Sequence, residues 1–335
     1  MPKYLNLIYF KILKFNQTME NQQHNSSRRE FLASAGILTA GIIFLPRDLF
    51  ARQTSPVNTI IEEARKGALT VTKLRGNISV IEGSGGNVAV FTGPQGKLMI
   101  DAGINVSEMK MKAALSKISK DPIKMLINSH WHFDHASGNE WVHKAGATII
   151  AQENTKKHLS ETVRVVDWNY TFPAAPKGAL PSVIFRDNYV VNFNGEHIKL
   201  KKYGNAHTDS DISIYFPKAD VLHVADTWWN GHYPFIDYST GGNIKGMITA
   251  AQENVKKVTE HTIIIPGHGP VGNKAQLIEY RDMLMDVSNQ IAIQKRAGAS
   301  MAEVIASKPT KAYDAKWGTF VISGDFFCNM VYRGL

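Results

Sequence analysis

Apolar residues recur along this chain in two styles, short runs broken by Gly and Asn and longer runs with helical spacing. Strands are predicted at 71–74, 78–81, 88–92 and 98–100. The turns Gly83-Ser84-Gly85-Gly86-Asn87 and Gly93-Pro94-Gln95-Gly96 separate them and give an antiparallel meander. A helix over 106–118 follows, carrying Met109, Ala113 and Ile118, and Pro122 ends it before the apolar strand 123–127. Residues 129–139 read as a polar strand-to-helix loop, with Asn139 placed to cap a short helix. Next come a strand at 148–151, a helix at 154–163 and a Pro/aromatic segment, 168–181, read as a mobile flap. The second half repeats the plan, with strands at 183–184, 189–193, 197–203, 211–216 and 221–225, a helix at 244–258 and a strand at 262–265. Strands then helix, twice over, predict an α+β fold in which two sheets pack together with helices outside, a four-layer αββα sandwich. Helices at 275–297, at 301–307 and from Ser323 onward would cover one edge, while the polar stretch 52–66 reads as a connection.

The 335 residues, 44% of them hydrophobic, suffice for a sizeable buried core. Their net charge of +9 could signal an acidic partner, but the first 52 residues hold +4 of it and the rest is dispersed. No nucleic-acid partner is expected. Ser27-Arg28-Arg29-Glu30-Phe31-Leu32, followed by an uncharged run over 32–45, resembles a twin-arginine export signal. That run is shorter than the about 20 residues a membrane-spanning helix needs. The expectation is therefore a signal or leader over 1–54 and a catalytic domain over 55–335. It implies the twin-arginine machinery as partner, a periplasmic or otherwise exported location, retention if the signal stays uncleaved, and no stable membrane span. Cys328 is the sole cysteine, so no intramolecular disulfide can form and no cysteine pair can hold a metal.

His and carboxylates must then carry any metal chemistry. Residues His130-Trp131-His132-Phe133-Asp134-His135 contain a His-x-His-x-Asp-His pattern, which chance would place in roughly one chain of this composition in a thousand. Alternate residues His130 and His132 can point to one ion, while Asp134 and His135 face a neighbouring position. His207 in Asn205-Ala206-His207-Thr208 and His268 in Pro266-Gly267-His268-Gly269 sit beside turn residues at predicted strand ends. Asp226 follows the predicted strand 221–225. Strand ends at one rim of a sandwich are where such side chains can converge. An isolated His in such a place is more often an ordinary surface residue. Five His and two Asp together reverse that reading.

With these motifs in hand, the chain resembles the metallo-β-lactamase superfamily. The likeness runs through Ile100-Asp101-Ala102-Gly103, His130 to His135, His207-Thr208, Ala225-Asp226 and Pro266-Gly267-His268-Gly269, in that order. It implies the metallo-β-lactamase fold and two Zn²⁺ ions. His130, His132 and His207 would bind the first, and Asp134, His135 and His268 the second. Asp226 would bridge them, and Asp101 would support the loop without touching metal. A water held between two zinc ions loses its proton near neutral pH, so hydroxide is available without a strong base; Asp134 would orient it.

Trp228, Trp229, His232 and Tyr233 could wall a substrate, although aromatics after a strand are usually core. His223 reads as a non-ligand. The expected activity is zinc-dependent hydrolysis of a small amide, lactam, ester or lactone by a metal-bridging hydroxide. A β-lactamase using only His and Asp ligands and a zinc-retaining protein without turnover are the alternatives. The subclass with a cysteine ligand is disfavoured, because Asp226 holds that place.

Overall fold

The computed structural model describes residues 55–335, so the twin-arginine-like motif and the apolar run after it lie outside the described residues. Two sheets carry the architecture. The first has seven strands in the order Thr70–Lys73, Ile78–Glu82, Val88–Gly93, Gly96–Ile100, Ile123–Ile127, Thr148–Gln152 and Val183–Phe185. Its first four strands form the expected antiparallel meander, and the remainder join in parallel. The second sheet orders Asn188–Phe193, Glu196–Lys202, Ile212–Phe216, Val221–Trp229 and Ile263–His268, with only the last pair parallel.

Alternation along the strands decides which layer each side chain enters. Ile78, Val80, Leu98, Ile100 and Ile127 of the first sheet meet Ile198, Leu200, Ile212, Ile214 and Ile265 of the second in the inter-sheet core. Their neighbours Ile81, Val90, Met99 and Leu126 face outward, under Met111 and Leu115 of the helix Glu108–Ile118 and Trp141 of the helix Asn139–Lys144. Leu222, Val224 and Ile264 face the other way, into a core shared with Met247 of Ile244–Lys257 and with Leu277, Leu284 and Val287 of Lys274–Arg296. These are the four layers the sequence predicts. Each large aliphatic side chain so buried contributes about 1.5–3 kcal/mol.

Four local expectations change. The stretch read as a polar connection contains the helix Pro56–Lys66: Ser55 caps it, Pro56 opens it, and Val57, Ile60 and Ala64 bury one face at helical spacing. The segment read as a flap lies partly in the hairpin Val163–Val165/Tyr170–Phe172, with Trp168 in its turn fully packed in the larger core. A helix Lys311–Trp317, not foreseen, adds Trp317 to that core. Finally, the strand read as 221–225 continues to Trp229, so Asp226 lies inside it.

At the strand ends remote from Asp101 and Asp226, Arg75 joins the two sheets. Its guanidinium donates to the carbonyls of Ala219 (2.6 Å), Asp220 (2.8 Å) and His261 and pairs with the Asp220 carboxylate (3.2 Å). Among the described residues, no helix is long and apolar enough to cross a membrane.

Candidate metal centre

Loops and strand residues at one end of both sheets bring the seven expected ligands together, all buried. His130 and His132 precede the one-turn helix Phe133–Ala136, which carries Asp134 and His135. His207 lies on the loop after Glu196–Lys202, and His268 closes the strand Ile263–His268. Asp226 reaches the cluster because the backbone turns just before it: Ala225 has φ 46, in the left-handed region, and the pairing with Ile263–His268 shifts on both sides of Ala225. His223 braces this turn, its Nδ1 accepting from the Ala225 N–H at 3.2 Å.

Three sets of side chains place one ligand atom each within 4.8 Å of one another: His130, His132 and His207; His130, His135 and Asp226; and Asp134, His135 and His268. Asp226 spans them. Its Oδ1 is 3.0 Å from His135 Nε2, and its Oδ2 is 3.4 Å from both His207 Nε2 and His268 Nε2.

Hydrogen bonds on the outer side of the His130, His132, His135 and His207 rings fix which nitrogen of each faces inward. The His207 Nδ1–H donates to the Phe235 carbonyl (2.8 Å), which can only accept, leaving a lone pair on Nε2. The His132 Nε2–H donates to Asp237 Oδ2 (3.0 Å), leaving Nδ1 inward. These two inner nitrogens are 2.8 Å apart. Lone pairs at that distance repel unless a proton or a metal ion lies between them. Asp101 accepts from the Ser129 N–H (2.7 Å) and hydroxyl (2.6 Å) and from His135 Nδ1–H (2.9 Å). With its own proton committed to Asp101, the Ser129 hydroxyl accepts from His130 Nδ1–H at 3.0 Å. His130 Nε2, His135 Nε2, His268 Nε2, Asp134 Oδ1 and Asp226 Oδ1 remain buried without hydrogen-bond partners. Buried polar atoms normally find partners. A convergent set of lone pairs, four of the five rings held from behind, fits divalent cations that prefer imidazole and carboxylate.

The electrostatics agree. Burial pushes His130 well below its ordinary value, with His135 adding to the shift, and burial takes His207 down to about 4. Around His135, burial opposes charge, but Asp226, Asp134 and Asp101 outweigh it and raise the ring well above its ordinary value. His268 rises to about 9 against burial, chiefly through Asp226 and Asp134. Burial likewise opposes ionising Asp226, yet His135, His268 and His207 hold it well below the carboxylate range. The carboxylates thus favour a positive charge beside His135 and His268, the charge that a cation would supply.

Two aromatic expectations change and two stand nearer the cluster. Trp228 and Tyr233 are fully buried, and Tyr233 stacks on Phe327 (4.7 Å), so both are core rather than wall. Trp229, also buried, packs against His268 (4.2 Å) and donates its indole N–H to Asp226 Oδ2 (3.0 Å). His232 is half-buried, its pKa lowered by burial and by His268.

Asp237 was not legible as part of this centre. The only local signal is Asp237-Tyr238-Ser239-Thr240-Gly241, an ordinary capping turn, and Asp237 Oδ1 does accept from the Ser239 N–H. Its other oxygen holds His132 and takes the Thr240 hydroxyl (2.7 Å). Gly86 and Gly267 were legible only as turn residues. A Cβ on Gly86 would run into the His135 imidazole and one on Gly267 into the Asp226 carboxylate, so close approach of backbone to ligand requires glycine at both.

The chain is similar to several known proteins. A linear primary-alkylsulfatase from Pseudomonas sp. (strain ATCC 19151) is 24% identical over 229 residues, 58% of this chain and 43% of its own length. The metallo-beta-lactamase IND-1 of Chryseobacterium indologenes is 23% identical over 212 residues, 62% of this chain and 82% of its own. The stereoselective inverting sec-alkylsulfatase Pisa1 from Pseudomonas sp. superposes with a TM-score of 0.62 at 17% identity, covering 85% of this chain and 54% of that one. This chain thus spans less than two thirds of the length of either alkylsulfatase. The family model described as the metallo-beta-lactamase superfamily matches residues 81–268, from the second strand to the last histidine of the cluster, and the chain belongs to that superfamily.

Proposed function

We propose that the chain is a hydrolase using two zinc ions, one among His130, His132 and His207 and one among Asp134, His135 and His268, with Asp226 reaching both. The observation that carries this reading is the inward convergence of partnerless lone pairs, with His130, His132, His135 and His207 each held from the outer side. Zinc bound there would supply Lewis acidity towards the scissile group and acidify the attacking water.

The residues themselves do the positioning. Asp134 Oδ1, buried and without a partner, is free to accept from the attacking water and set its direction. Trp229 holds one Asp226 oxygen by its indole N–H, which fixes the carboxylate's orientation between the two histidine sets. Asp101 and Asp237 keep His135 and His132 in one tautomer each.

The substrate proposed is a small amide, lactam, ester or lactone. A sulfuric ester is the second reading, favoured because both alkylsulfatase likenesses reach this chain and the structural one covers 85% of it. Purified protein loaded with zinc, offered nitrocefin, a lactone, a thioester, a phosphodiester and an alkyl sulfate, should turn over one class. His132→Ala should abolish that turnover and lose most of the metal. Full zinc occupancy with no turnover on the whole panel would sink the enzyme reading and leave a metal-retaining protein. Export by the twin-arginine route is likewise proposed, from Arg28 and Arg29. Replacing both by Lys should leave the protein in the cytoplasm, and unchanged fractionation would reject it.

A further inference from the structure

The segment between the helices Lys311–Trp317 and Gly324–Gly334 lies against the metal-ligand cluster. It is anchored at both ends. Trp317 is buried and its carbonyl accepts from the Tyr233 N–H at 2.7 Å, while Ile322 is buried in the larger core. Between these anchors Phe320 stays 36% exposed. A single exposed phenylalanine is ordinary on a protein surface. This one packs 5.1 Å from the His232 ring, 6.1 Å from Trp229 and 6.3 Å from His268, centre to centre. The next residue, Val321, turns the other way and packs with Phe133 against Ile60 and Ile104. One short loop thus spans from the His268 side of the cluster to the Phe133 side, offering apolar groups along its length. His232 Nδ1, buried and without a partner, is a polar atom beside Phe320. Binding pockets for small molecules have this make-up, mostly apolar walls with few polar groups that orient the ligand.

We infer that Phe320 and His232, backed by the buried Trp229, form a subsite beside the metal cluster that takes an alkyl or aryl group of the substrate, with Phe320 as the specificity-determining residue. The inference rests on the hydrolase reading for the word substrate, but its binding chemistry can be tested without turnover. A ligand whose polar head is drawn to the cations lays its apolar tail along the Phe320 ring, and affinity grows with the tail's buried area.

The test uses zinc-loaded full-length protein and the straight-chain carboxylates from acetate to octanoate, which share a head and differ only in tail. Binding is read by titration calorimetry. In the unaltered protein affinity should climb about two- to fourfold per added methylene until the subsite is filled. Phe320→Ala should cut the octanoate-to-acetate affinity ratio roughly tenfold, and Phe320→Leu should restore much of it. Zinc content and melting temperature, measured on each variant, separate loss of the subsite from loss of the fold. Equal affinities along the series, no octanoate binding at millimolar concentration, or a slope untouched by Phe320→Ala in a folded, zinc-loaded variant would each overturn the subsite. A normal slope with no turnover of any ester, lactam or sulfate would instead overturn the hydrolase reading and leave the subsite standing.

Discussion

At the scale of single residues, the centre depends on side chains that stand behind the ligands rather than among them. Asp237 is fully buried and holds His132 from behind, so its loss leaves that ring free to turn. Asp237→Ala is expected to weaken zinc binding about 10- to 100-fold, with Asp237→Asn less severe because its amide oxygen still accepts; competition with a chelating dye measures both. His223 sets a pH dependence of its own. Burial takes its pKa down to about 4, while an exposed imidazole in the unfolded chain titrates near about 6.5. Between those values the unfolded chain binds the extra proton. Stability from the neutral ring is therefore complete above about pH 6.5 and is lost as pH falls towards 4, by up to on the order of 3 kcal/mol. Melting temperatures of the metal-free protein over this range should fall less steeply in His223→Gln than in the unaltered chain. The ligands were legible because His-x-His-x-Asp-His is improbable by chance. Asp237 was not, because an acidic residue in a turn looks the same whether it caps a helix or orients a ligand.

At the scale of elements, strands and long helices could be read from apolar spacing, and the errors fall where tertiary contacts decide. The helix Pro56–Lys66 shows only three buried residues among polar ones, so its amphipathic face was hidden by its composition. The hairpin Val163–Val165/Tyr170–Phe172 has strands too short to carry an alternation. What holds it is distant in sequence: Trp168 stacks on Phe235 (4.5 Å), the Val166 N–H donates to Ser239 Oγ (3.1 Å), and Arg333 pairs with Asp167 (2.8 Å) while lying over the Tyr238 ring. The C-terminal helix thus fastens an element that packs on His132. Arg333→Ala should speed amide hydrogen exchange across 163–172 and lower stability by no more than about 1 kcal/mol, since the pair is partly exposed. Exchange unchanged in that segment would show that the hairpin is held without the Arg333–Asp167 pair.

At the scale of the whole molecule, the αββα order followed from strands and helices recurring in the same sequence twice, and the structure has it. The register between the two sheets was not readable, because it is set by contacts such as Arg75 on Ala219 and His261, far apart in the chain. Metal bound at the opposite end would couple to the same fold. Ions that bind only the folded state stabilise it by mass action, by about 2.7 kcal/mol at one hundred times the dissociation constant. Chelation should therefore lower the melting temperature by several degrees, and restored zinc should return it; a melting temperature indifferent to chelator would speak against ions that bind only the folded state.

The irregular pairing at Ala225 has a consequence for what changes this protein tolerates. From Ala225 to Trp229 the chain takes four steps, while its neighbour goes from Pro266 to His268 in two. That surplus turns the carboxylate of residue 226 into the cluster. Conservative replacements at Val224 or Thr227 leave this count intact. Removing or adding one residue there would carry Ala225 or Thr227, neither of which has a carboxylate, to the place of Asp226, so along this stretch the number of residues is constrained as tightly as the identity of the ligand.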